Sequence, residues 1–61
     1  MRHYTLIIER NDGQVLSWEL DEELYVKMLY DMWEQHKEMF NVESGQIYNN
    51  WTHSTVCSFG M

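Results

Sequence analysis

The sequence predicts a small α+β domain in which an antiparallel sheet packs on one long helix in the order ββαβ. Three observations carry that reading. Residues 3–20 spell a β-hairpin around Asn11-Asp12-Gly13, residues 21–40 run without Gly or Pro at helical spacing, and residues 52–59 are rich in β-branched and aromatic side chains. With 61 residues the chain is read as a single interaction domain, 1–61, whose thin core leaves little net stability and favours a staple. One Cys excludes an internal disulfide, so a second subunit or a tight partner is the expected one.

The hairpin's register follows from parity. A two-residue Asp12-Gly13 loop would face Leu6 with Glu19 and mix both sides. A three-residue loop with Gly13 left-handed pairs Arg10 with Gln14 and sets Tyr4 opposite Leu20, Leu6 opposite Trp18 and Ile8 opposite Leu16. One side of the hairpin then becomes wholly apolar, and a slip of one residue would invert it.

The helix is expected over residues 21–40. Asp21 stands at the cap position, Glu22 and Glu23 suit the positive end of the helix dipole, and Leu20 and Tyr25 stand at staple spacing. Glu23, Lys27, Asp31, Glu34, Gln35 and Glu38 form the solvent stripe, with Glu23–Lys27 and Lys27–Asp31 as favourable pairs four apart. The apolar remainder spans roughly 160°, wider than the ~100° stripe a helix on a sheet requires. Tyr25, Met28, Leu29, Met32 and His36 are assigned to the sheet-facing side. Val26, Tyr30 and Trp33, with Ile7 and Val15, are the flank left over for a partner.

After residue 40 the composition of Glu43-Ser44-Gly45 reads as a loop. Asn49-Asn50 reads as a tight turn pairing Tyr48 with Trp51, followed by a third strand within residues 52–59.

Charge narrows the partners. Ten Asp and Glu against four Lys and Arg give a net charge of −6, which leaves no basic stripe for phosphate backbones or anionic membranes. A protein with a basic surface, or one that handles nucleic acid, is the complementary partner. The apolar run at residues 6–8 is far too short for a signal-peptide core, and the reading is a cytoplasmic protein.

No catalytic or cofactor motif is present, and the expectation is a protein that is not an enzyme and needs no cofactor. His53 and Cys57 lie four apart, roughly 13 Å along a strand, too far for a nucleophile and its base. With His36 they hold only part of a zinc signature. The surplus of Trp, Tyr and Met is the stronger signal, since these residues dominate binding hot spots. The expected function is a small acidic protein that binds and inhibits a larger one by occlusion. Val26, Tyr30 and Trp33 are the expected anchors, and Asp31, Glu34 and Glu38 the charged rim. Size and acidity match small inhibitors such as those viruses of bacteria direct at host enzymes. The alternatives are a homo-oligomeric structural protein, a nucleic-acid mimic and a small metal-binding module.

Overall fold

The computed structural model describes residues 2–60. Strands β1 (Tyr4–Arg10) and β2 (Val15–Leu20) precede helix α1 (Glu23–Gln35), and strands β3 (Val42–Asn49) and β4 (Ser54–Phe59) follow it. All four strands join one antiparallel sheet in the order β2-β1-β3-β4. The α+β class is the expected one. The sheet gains one strand over the expected ββαβ layout, so the order is ββαββ.

The first hairpin has the bulged register. Tyr4 pairs with Leu20, Leu6 with Trp18 and Ile8 with Leu16. Arg10 N–H donates to the Gln14 carbonyl at 2.8 Å, and Gly13, at φ 89°, donates to the Arg10 carbonyl at 3.0 Å. A positive φ here is what reserves the position for glycine. The Asp12 carboxylate locks the loop by accepting the Gln14 N–H at 2.9 Å. Tyr4, Leu6 and Ile8 are thereby turned to the helix side, where all three are buried.

Helix α1 is shorter than expected at both ends. Asp21 does not cap it, because its carboxylate is held by Arg2 at 2.8 Å and by the His3 N–H at 3.2 Å. Glu22 takes the cap position without a side-chain bond. Helical bonding ends at Gln35, and residues 36–40 turn back instead, with Val42 N–H bonded to the Lys37 carbonyl at 2.8 Å and Asn41 at φ 57°. The reversal is needed to lay β3 beside β1, and Asn is among the few residues that accept the left-handed conformation. Phe40 packs its ring against Trp33 at 5.1 Å, and Arg10 Nε donates to the Phe40 carbonyl at 3.1 Å.

The rotation of the helix overturns the expected assignment of faces. Val26 is fully buried and Tyr30 nearly so, with Leu29 and Trp33 packed against the same core of Tyr4, Leu6, Ile8, Val42, Ile47 and Phe59. Val26, Tyr30 and Trp33 are therefore core and edge-of-core residues, not free partner anchors. Tyr25 and Met28, assigned to the sheet, are instead about 60% exposed (59% and 60%). The reason is the width of the sheet. Strands β3 and β4 add Ile47 and Phe59 to the floor, and Tyr30 reaches across to meet the Phe59 ring edge-on at 5.3 Å.

Strand β3 runs through Glu43-Ser44-Gly45, the expected loop, with a register shift against β1 that leaves Glu43 as the extra residue. Gly45 sits under the Phe59 ring, and Ser44 Oγ donates to the Glu9 carboxylate at 3.0 Å. The turn after β3 also differs from the expected Asn49-Asn50 pairing of Tyr48 with Trp51. Asn49 pairs with Ser54, and residues 50–53 form the loop. Asn49 Oδ1 accepts the N–H groups of Trp51 and Thr52 at 2.9 and 3.1 Å, an Asx arrangement that replaces a tight turn. Asn50 ties the loop to the first strand, donating through Nδ2 to Thr5 Oγ1 at 2.8 Å and to the Arg2 carbonyl at 3.0 Å.

Candidate interaction surface

The chemistry-bearing side chains do not assemble. His36 is exposed in the turn after α1, His53 lies in the β3–β4 loop at φ 56°, and Cys57 is half-buried on β4. Among the described residues no three His, Cys, Asp or Glu side chains converge in a metal-holding group. A depression of about 120 Å³ on the open sheet face contains Glu9, whose carboxylate is already bonded to Ser44.

Cys57 instead borders Tyr30. Burial first, then the Cys57 thiol and the carboxylates of Glu34 and Asp31, push the Tyr30 phenol from 10 up to about 12. The folded state thus holds Tyr30 neutral where the unfolded chain would ionise it. This contribution to stability is complete below pH 10 and is lost as pH rises from 10 through 12, about 1.4 kcal/mol per pH unit. Urea titrations from pH 9 to 12 are expected to show that decline, and Tyr30→Phe to flatten it.

The exposed side of α1 is divided by its own periodicity. At 100° per residue, the stripe through Val26, Leu29, Tyr30 and Trp33 faces the sheet. On the β4 side, where Tyr30 meets Phe59, the helix carries Glu23, Glu34 and Lys27, with Asp31 beyond. On the β2 side, Trp33 packs against Trp18 with ring centroids 5.5 Å apart and planes tilted by 35°, and Tyr25 lines a depression with Glu19 and Leu20. Between these flanks runs an outward ridge of Leu24 and Met28, 73% and 60% exposed.

The expected rim residues Asp31, Glu34 and Glu38 are all exposed. Lys27 makes no ion pair within 4 Å with Glu23 or Asp31; among the described residues the ion pair is Arg2–Asp21. The carboxylates of this flank therefore make no direct ion pair, with Lys27 the one cation standing among them on the helix. What the sequence reading missed is Leu24, assigned to neither apolar set. It lies some 160° from Val26 around the helix, so no rotation buries both.

Among the described residues no helix is long and apolar enough to cross a membrane. Neither the protein-family models, nor the curated proteins, nor the solved structures contain a match to this chain.

Proposed function

We propose that this chain is a protein-binding module that occludes a basic surface on a larger protein, such as one that handles nucleic acid. The observation that carries the reading is the helix's outer side. An exposed apolar ridge of Leu24 and Met28 runs beside Asp31, with Glu34 farther round the same flank beyond Lys27, and neither carboxylate makes an ion pair among the described residues. Apolar anchors bordered by charge match the anatomy of an interface, in which a few desolvated side chains give affinity and the rim sets specificity and on-rate. The neighbouring apolar ridge favours a protein groove over a bare nucleic-acid mimic, whose contacts would be carboxylates alone.

Affinity purification on the immobilised chain at low and high salt tests the proposal, followed by titration of the captured protein against variants. The expected partner is basic and released by salt. The double change Leu24→Ser, Met28→Ser should weaken it at least tenfold while leaving the thermal unfolding curve in place, because both side chains project into solvent. Asp31→Asn with Glu34→Gln should reduce the salt dependence. A partner that binds equally well to both variants would sink the reading.

A further inference from the structure

We propose that two copies of this chain pair through the free edge of β2, joining their sheets into one eight-stranded antiparallel sheet. The surface involved is separate from the Leu24–Met28 ridge.

The edge is fixed by the hydrogen-bond parity of the hairpin. Arg10 N–H donates to the Gln14 carbonyl at the loop end, so by alternation the backbone groups of Leu16, Trp18 and Leu20 on β2 point toward β1. Those of Val15, Ser17 and Glu19 point outward and have no strand beside them. An antiparallel copy with its dyad at Ser17 gives all three a partner: Ser17 opposite Ser17, and Val15 opposite Glu19 in both directions. Shifting the dyad by one side chain either way leaves part of the row unpaired. The same register places Leu16 opposite Trp18 of the second copy on the helix side, an apolar cross-strand pair continuing the existing core.

Charge permits this edge and selects this arrangement. Two chains of net charge −6 repel, so self-pairing needs a surface poor in charge. The β2 edge carries one charged side chain, Glu19, and the dyad at Ser17 sets it against Val15 instead of a second Glu19. Beside it lie Trp18, Tyr25 and the half-buried Met32, apolar surface continuous with the edge. The other edge strand carries no charged side chain of its own and is unsuited for a different reason, its irregular backbone. Strand β4 has a register shift opposite Ile47 and Tyr48, and such irregularity blunts an edge against pairing. It also lies on the side of the acidic flank.

Sedimentation equilibrium of the natural chain over a concentration and salt series is the test. The expected result is a species of twice the 7.5 kDa chain mass whose dissociation constant falls as salt rises, since screening relieves like-charge repulsion. That trend is opposite to the one expected for a basic partner, so the two proposals fail separately. Val15→Glu places carboxylate against carboxylate and should raise the dissociation constant at least tenfold, whereas Val15→Lys faces Glu19 and should hold or lower it. Ser17→Pro removes an outward N–H that the monomer does not use and should abolish pairing while the circular dichroism of the fold persists. A 7.5 kDa species throughout overturns the proposal, as does a dimer that Val15→Glu and Val15→Lys weaken alike.

Discussion

Val26→Asp is expected to abolish folding, while Met28→Asp, two residues along the same helix, should leave stability within about 0.5 kcal/mol of the natural chain. Val26 has no exposed surface and belongs to the core cluster with Leu6, Ile8 and Ile47. A carboxylate there is either ionised without a partner or protonated without an adequate one, at a cost of several kcal/mol. A domain of this size holds roughly 3–5 kcal/mol in total, so that cost leaves no folded state. Met28 is 60% exposed and touches the same helix surface that already carries Asp31. Urea unfolding of both variants, followed by circular dichroism, decides the matter. If Met28→Asp unfolded the chain and Val26→Asp did not, the helix would be rotated to the face that periodicity alone first favours.

That contrast shows where the sequence is and is not informative. The hairpin register is legible because strand periodicity is two: with Gly13 in the loop, only one pairing collects Tyr4, Leu6, Ile8, Leu16, Trp18 and Leu20 on one side. The helix face is not, because two sets of side chains share the same spacing. Tyr25, Met28 and Met32 satisfy the helical repeat as well as Val26, Leu29, Tyr30 and Trp33 do, and a wide apolar arc has no unique centre. The choice is made by the floor beneath, which needed β3 and β4 to be known. Strand β3 was itself hidden, since Glu43-Ser44-Gly45 has loop composition and its strand role depends on a ring fourteen residues later. The exposure of Asp31, Glu34 and Glu38 was readable from charge alone. Which apolar side chains stay exposed on the same helix was not, because Val26 and Tyr30 turn into the core and leave Leu24 and Met28 in solvent.

The same long-range dependence makes Gly45→Ala the second decisive substitution. In a strand with ordinary backbone angles, replacing glycine by alanine normally stabilises by about 0.4–1 kcal/mol, because the unfolded chain loses freedom. At Gly45 the sign should reverse. An added Cβ would clash with two atoms of the Phe59 ring and lie 2.9 Å from Ile8 Cδ1, so packed core side chains would have to shift to admit it. Overpacking of that kind costs about 1–3 kcal/mol, a large share of what this domain has. If the ring is the cause, the penalty belongs to the pair and not to the position. Phe59→Leu removes the two clashing ring atoms and leaves only the Ile8 Cδ1 approach, so in that background Gly45→Ala should cost distinctly less, a coupling of about 0.5–3 kcal/mol in a double-mutant cycle. Strict additivity of the two changes would mean that Gly45 is required for some property of its backbone, and that Phe59 does not dictate why a glycine occupies the middle of the sheet.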